Sequence, residues 1–478
     1  MIFNSNQYFV FFVLVLPMVL LLPKARLQNV VLVIASYFFY GWWDARLLAL
    51  ILFSTFVDFF IAQAIEKRQE TKTKHLVALS VCTNLTVLFF FKYFNFFVGS
   101  LIFALAQLGV DARGAHLEII LPVGISFYTF QSMGYTIDVY RGRLKAVQDP
   151  ILFALYVSFF PQLVAGPIER AENLLPQLTQ RKRLDLAGLS EGLWLITLGL
   201  CQKVVLADNV AAIANDVFSS KEALPSSISL LGVLAFTLQI YGDFAGYSNM
   251  ARGCSRLLGI NLIQNFRRPY FSRSPQEFWT RWHISLSSWL RDYLYISLGG
   301  NRGDTSKTIR NLMLTMTLGG LWHGATWMFV LWGVYHGTVL IVHRLWRRIR
   351  PDFLVQGLAR LPYSACAWLL MMVVTCVGWL LFRAETVPQA LGIIESIFGG
   401  WEWTADSANM LSLMYLYFIP FLLIDVLSEW ADRNGKTDDA VVLRFLPPAA
   451  RGLIIAVLLL WLAALSAPEG PIFIYFQF

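Results

Sequence analysis

The sequence is short of charge. Only 14% of its 478 residues are Asp, Glu, Lys or Arg, while 57% are hydrophobic. An ordinary soluble chain carries about 25% charged and about 45–50% apolar residues. A water-soluble fold of this size could not hide so much apolar surface, which excludes a cytosolic enzyme and a disordered chain. Cysteine is scarce and scattered. The five residues Cys82, Cys201, Cys254, Cys366 and Cys376 form no CxxC pair, and four of them sit in apolar runs. Neither a disulfide framework nor a zinc site follows, and the cysteines read as small buried hydrophobes. The soluble-enzyme signatures P-loop, GxGxxG, HExxH and GxSxG are also missing.

What the chain does have is long hydrophobic runs. A membrane-crossing helix needs roughly 20 mainly apolar residues. Residues 7–23, 28–43, 47–65, 75–91, 117–139, 188–206, 226–242, 361–382, 411–427 and 453–467 meet that description. Three further stretches are irregular. Residues 93–110 follow 75–91 with only Lys92 between. Residues 151–168 carry Pro161, Gly166 and Pro167. Residues 311–343 are too long for one simple span and hold Gly319, Gly320 and Gly324. Broken segments survive at membrane depth only when buried in protein or lining a cavity. The sequence therefore predicts an all-α polytopic membrane protein, one integral-membrane domain over 1–478, with about 10–13 membrane helices including re-entrant or broken segments.

The net charge of +8 is a topology signal and points to no nucleic acid. Lys and Arg cluster in 24–26, 66–74, 141–149, 170–183 and 344–350, and in the arginine-rich stretch 252–310. The linkers near 44, 111–118, 207–225 and 385–410 hold few or none. By the positive-inside bias, the basic linkers face the cytoplasm and both termini lie outside. The N-terminal apolar run has no basic n-region and runs straight into a second one, so it reads as a span and not as a cleavable leader.

Six histidines are candidates for chemistry. His75 and His116 read as surface residues, and so does His343 beside Arg344. His283 follows a capping box with proline at the first helical position, Ser274-Pro275-Gln276-Glu277, which places it about two turns into a helix. Arg281, Ser285, Ser288 and Asp292 would then form a polar stripe, with His283 on another face near Trp279 and Ser287. His323 lies in Gly319-Gly320-Leu321-Trp322-His323-Gly324, an ionisable group inside a broken membrane segment, where such groups usually face the bundle interior. Imidazole exchanges protons near neutral pH, which makes His323 a candidate general base. His336 follows Gly333 and Tyr335 and could line the same cavity. Asp58, Asp138, Asp243 and Asp425 lie within or near spans, each explicable by a local hydrogen bond.

Several blocks resemble the membrane-bound O-acyltransferase family, in particular its bacterial alginate O-acetylation branch. They are Phe159-Phe160-Pro161-Gln162-Leu163-Val164-Ala165-Gly166-Pro167-Ile168, Asp243-Phe244-Ala245-Gly246-Tyr247-Ser248, the stretch Asn265 to Gly300 with Arg281-Trp282-His283-Ile284-Ser285, Leu321-Trp322-His323-Gly324, and the ending Phe473 to Phe478. One departure is Asn249, where many relatives would carry aspartate. The resemblance implies helices around a funnel or tunnel. It implies His323 and His283 as catalytic residues, and acyl transfer from a cytosolic thioester, acetyl-CoA, toward the far side of the membrane. No bound cofactor and no metal is implied. Trp322, Gly324, Trp282, Ser287, Asp243 and His336 are candidates for lining the substrate path. Arg267, Arg268, Arg273 and Arg281 are candidates for holding the donor's phosphates, with membrane topology an equal explanation for them.

These implications define an O-acetyltransferase of the bacterial inner membrane that works on an exported polysaccharide, alginate first. Its expected partners are the cytosolic donor, the bilayer and a periplasmic or membrane-anchored acetyltransferase. Cellulose, peptidoglycan or teichoic acid are alternative acceptors. A transporter or flippase without chemistry and a scaffold for an export complex are the rivals from other classes. If the donor and acceptor meet between the two histidines, their ring centres should lie within roughly 15 Å, in a shared cavity open to both membrane surfaces.

Overall fold

The computed structural model describes residues 1–68, 73–110, 117–164, 166–434, 447–467 and 473–474. All regular structure among them is helical. Seven helices are long and apolar enough to cross a membrane. They are Ala45–Arg68, Lys74–Gln107, Leu186–Ser219, Ser226–Leu257, Trp327–Ile349, Arg360–Arg383 and Ala405–Arg433, and Asn6–Leu20, Val387–Phe398 and Ala449–Leu465 are shorter apolar helices. The expected positions of His116, Ala165, Lys72 and residues 475–478 lie outside the described residues.

Several sequence boundaries shift. The runs 75–91 and 93–110 form one continuous helix, with a π-turn at Phe89–Tyr93 absorbing the charged Lys92. Likewise 207–225 is not a free linker. The helix that begins at Leu186 continues through a π-turn at Cys201–Ala207 to Ser219. A wide turn keeps the backbone hydrogen-bonded while shifting register, and hydropathy alone does not reveal it. The expected non-basic linker 385–410 also contains the helix Val387–Phe398.

The chain forms two compact units. The first comprises Met1–Leu193, Ala251–Ile263 and Gly324–Thr326. Within it, the stretch around Pro161 is broken as expected. The helix Pro150–Ser158 ends, Phe159 leaves helical geometry, and a single turn Phe160–Leu163 follows. The freed Phe160 N–H donates to Ser36 Oγ at 3.1 Å. Gly124, at φ 75°, lies where a Cβ would be 2.6 Å from the Leu163 carbonyl oxygen, so only glycine fits. Asp58 is fully buried and accepts from Ser80 Oγ and, at 2.9 Å, from Asn84 Nδ2. That is the local hydrogen-bonding explanation offered for it.

The second unit comprises Trp194–Met250, Gln264–His323 and Trp327–Phe478. Glycines bring its helices together. A Cβ on Gly199 would come within 2.5 Å of the Gly246 carbonyl oxygen. Such small-residue contacts replace the hydrophobic drive that is missing between helices in lipid. The long stretch 311–343 becomes the helices Thr305–His323 and Trp327–Ile349. Gly319 and Gly320 do not break the first helix, contrary to the sequence expectation. Gly320 sits against the Phe329 carbonyl and the Gly333 backbone, so its role is close helix approach. The break comes immediately after His323.

Candidate active site

The second unit contains both histidines. His283 is not two turns into a helix, as its capping box suggested. The box itself forms, since Ser274 Oγ accepts from Glu277 N at 3.2 Å. The helix it starts ends at Arg281, and a new helix runs Ile284–Trp289. Between them His283 adopts left-handed backbone geometry, φ 43° and ψ 54°. Asn265 supplies the cause. Its carbonyl accepts from Ile284 N at 2.9 Å and its Oδ1 accepts from Ser285 N at 3.2 Å, so it satisfies the first donors of the second helix. The expected polar stripe from Arg281 to Asp292 is therefore not one helix face. A non-glycine residue at positive φ is uncommon and tends to mark a functional site.

That geometry presents the His283 ring to His323, with ring centres 6.5 Å apart, well inside the expected 15 Å. His283 is 1% exposed and packs edge-on against Phe244 at 4.6 Å and beside Trp322 at 5.9 Å. Burial pushes its imidazole down to about 3, so it is neutral at ordinary pH. His323 ends its helix, 4% exposed, with Trp332 at 5.0 Å and Phe382 at 5.4 Å. His336 is buried one step further on, with Trp332 at 4.6 Å and Trp279 at 5.2 Å. Trp282 is buried against Trp379 at 4.6 Å and Phe266 at 4.9 Å.

A cavity of about 400 Å³ opens beside His323. Apolar Leu312, Met316 and Leu340 line it along with Trp279 and Trp332, while Ser287, Ser288 and Arg291 supply polar groups. His283 is not among the described residues that line it, so the two rings are adjacent but only His323 faces this space. The Ser287 hydroxyl donates to the Trp282 carbonyl at 3.0 Å.

The other candidates lie elsewhere in the unit. Asp243 is 2% exposed and pairs with Lys203 Nζ at 2.8 Å, which also reaches Asp208 at 2.6 Å. The other Asp243 oxygen accepts from Ile474 N at 2.7 Å. Asn249, the departure noted in the sequence, donates to Gln202 Oε1 at 2.8 Å. Three of the four arginines are engaged by carboxylates. Arg281 grips Glu429 through two bonds of 2.7 and 3.1 Å, Arg268 meets Glu429 and Asp432, and Arg267 reaches Asp432 at 2.8 Å. Arg273 is exposed. Sequence reasoning missed Lys203, Glu429, Asn265, Trp332 and Phe382. A lysine inside an apolar run was the available signal for Lys203, since an intramembrane cation needs a nearby anion.

An imidazole beside an apolar cavity is chemistry that acyl transfer to a hydroxyl can use. The model of the membrane-bound O-acyltransferase family matches residues 143–382. A probable alginate O-acetylase of Azotobacter vinelandii is 38% identical over the full length of both chains. The peptidoglycan O-acetyltransferase of Helicobacter pylori is 35% identical, covering 77% of this chain and 73% of its own. A teichoic acid D-alanyltransferase of Streptococcus thermophilus is 32% identical over 50% of this chain and 62% of its own. The chain belongs to the membrane-bound O-acyltransferase family, and it is a multi-pass membrane O-acyltransferase.

Proposed function

We propose that this protein O-acetylates an exported polysaccharide, alginate in the first instance, with acetyl-CoA as the cytosolic donor. The observation that carries this reading is the pairing of His323 and His283 at 6.5 Å, with His323 facing a cavity. End-to-end similarity to a relative named as a probable alginate O-acetylase supports the acceptor. Similarity over three-quarters of the chain to a peptidoglycan O-acetyltransferase favours peptidoglycan as the second reading.

His323 takes the proton of the acceptor hydroxyl as its oxygen attacks the thioester carbonyl. The C–S bond then breaks, the thiolate leaves as the better leaving group, and the proton held by His323 passes to it. His283, neutral and fixed by its backbone, orients His323 or the acceptor. The donor enters from the cytoplasm and the acceptor, through a periplasmic or membrane-anchored partner, from the opposite side. Both termini then lie in the periplasm.

Turnover of radiolabelled acetyl-CoA by the purified protein in nanodiscs tests the donor. The acceptor is tested by restoring acetylation in strains whose alginate or peptidoglycan O-acetylation gene is deleted. Restored alginate acetylation is the expected result. Restoration of peptidoglycan acetylation alone favours the second reading, and no thioester turnover with any acceptor overturns both.

A further inference from the structure

The cavity beside His323 is long and its ends differ. His323, Gly319, Thr315 and Leu312 line it from one face of the helix Thr305–His323. His323 and Leu312 are eleven residues apart, so the space follows that helix for about 16 Å. Leu340 and Tyr295 wall the same end as Leu312. Gly337, a turn before Leu340, lies against Met313. The Tyr295 carbonyl accepts from Gly300 N at 2.8 Å, and the Gly300 carbonyl accepts from Asn311 Nδ2 at 3.0 Å. Arg291, one turn before Tyr295, is the one cationic side chain besides the His323 imidazole among the described residues that line the cavity. Its side chain is 63% exposed, so it stands at an opening. Asp292 takes its Nε at 2.7 Å and its Nη2 at 3.2 Å, leaving Nη1 without a protein acceptor among the described residues, and an exposed pair of this kind is weak. Arg344 lies one turn beyond Leu340 on the same helix face, and its charge bears on the Tyr295 hydroxyl. Unlike Arg267, Arg268 and Arg281, it has no carboxylate within ion-pair distance among the described residues.

We propose that Arg291 and Arg344 hold the phosphate that joins pantetheine to the nucleotide of the acyl donor, in place of the arginines that the sequence suggested. The assignment rests on the reading of acetyl-CoA as donor and His323 as base. The chain from sulfur to phosphorus in pantetheine has as many bonds as an extended backbone of about four residues, which spans about 15 Å. With the thioester carbonyl beside His323, that phosphate arrives at the level of Leu312, Leu340 and Tyr295, where the two arginines converge. The apolar wall of Leu312, Met316 and Leu340 suits the methyl and methylene groups between. A guanidinium fork matches the geometry of phosphate oxygens. The positive-inside bias accounts for arginines on a cytoplasmic face. It does not account for one that lines a cavity leading to the base. Arg267, Arg268 and Arg281 are already committed to Glu429 and Asp432, and none of them lines this cavity.

The test compares Arg291→Gln and Arg344→Gln with the wild type in nanodiscs on three donors: acetyl-CoA, S-acetyl-4′-phosphopantetheine and S-acetyl-pantetheine, which has no phosphate. Arg291→Gln should raise KM for the two phosphate-bearing donors about 10–100-fold. Its kcat should stay within about two-fold, the pattern of binding made equally in ground and transition states. Its KM for S-acetyl-pantetheine should stay within about two-fold of the wild-type value, because there is no phosphate to lose. Arg344→Gln should show the same pattern at about 10-fold. Unchanged KM for acetyl-CoA in both variants, or an equal rise for the donor without phosphate, overturns the proposal. So does a rise confined to acetyl-CoA, which would put the contact further along the nucleotide. Should Arg344→Gln fail to accumulate, the exposed Arg291→Gln decides by the same criteria. A wild type that turns over no thioester sinks the acyl-transfer reading itself. A wild type that uses S-acetyl-pantetheine as readily as acetyl-CoA sinks only the phosphate assignment.

Discussion

Two buried polar clusters in the same unit are built on opposite plans. Around Lys203, charge meets charge. Its Nζ lies 2.6 Å from Asp208 and 2.8 Å from Asp243, and a backbone N–H completes Asp243. Around His283 and His323 the neighbours are rings: Phe244, Trp322, Trp332 and Phe382. The second has a cavity beside His323. A buried charge that finds its full complement in the protein serves the fold, since removing a member leaves an uncompensated ion. The two histidines are packed among aromatic rings, and His323 also borders open volume. The same contrast separates the arginines. Those gripped by Glu429 are tied into structure, and Arg273 stands outside that network.

The sharpest way to break this contrast is His323→Ala. General-base loss lowers rate about 10²–10⁴-fold. The protein should still insert and accumulate normally. Near-wild-type acetylation at equal protein level would remove His323 from its role.

Lys203→Met should show the reverse pattern. It strands two buried carboxylates in an apolar unit, and breaking such a network costs about 3–5 kcal/mol. Thermal inactivation in detergent should drop sharply and accumulation should fall. The triple variant Lys203→Met, Asp208→Asn, Asp243→Asn should recover much of that loss, since no lone charge remains. If Lys203→Met is as stable as the wild type, the cluster is not what holds these helices together.

Glu429→Gln comes next in size. Arg281, Arg268 and Arg433 converge on this carboxylate. The amide keeps the shape and some hydrogen bonding but removes the charge that the arginines share. A loss of roughly 1–3 kcal/mol in stability is expected, with kcat per folded molecule little changed. A large kcat effect at unchanged stability would instead bring the arginine network into the donor site.

Much of this was legible in the sequence. The apolar runs located the spans and Pro161 announced a broken segment, whereas Gly319 and Gly320 read as a break and Gly320 instead serves close helix approach. Where the reading failed, the missing information was non-local. Glu429 lies 148 residues from the Arg281 it binds, so arginines that look free in the sequence are already paired. Asn265 holds the start of the helix after His283 from 20 residues away, and without it the capping box at Ser274 promises a longer helix. The π-turns at Phe89 and Cys201 are not visible in hydropathy, because the helix runs on through them while only its register shifts.

The smallest expected effect concerns the backbone at His283. Left-handed geometry costs an L-residue roughly 1–2 kcal/mol and costs glycine almost nothing. His283→Ala and His283→Gly both remove the imidazole and leave nearly the same void, so the cavity term cancels between them. What remains is backbone preference. Glycine relieves the strained φ of 43°, while its extra freedom in the unfolded chain takes back part of the gain. The Gly variant should therefore be the more heat-resistant by about 1 kcal/mol, although both lose activity to the same degree. Midpoints of thermal aggregation in detergent measure this directly. Equal midpoints, or a higher one for Ala, would mean that position 283 is unstrained. The break between the two helices would then be an ordinary turn, with no strain held to aim the ring at His323.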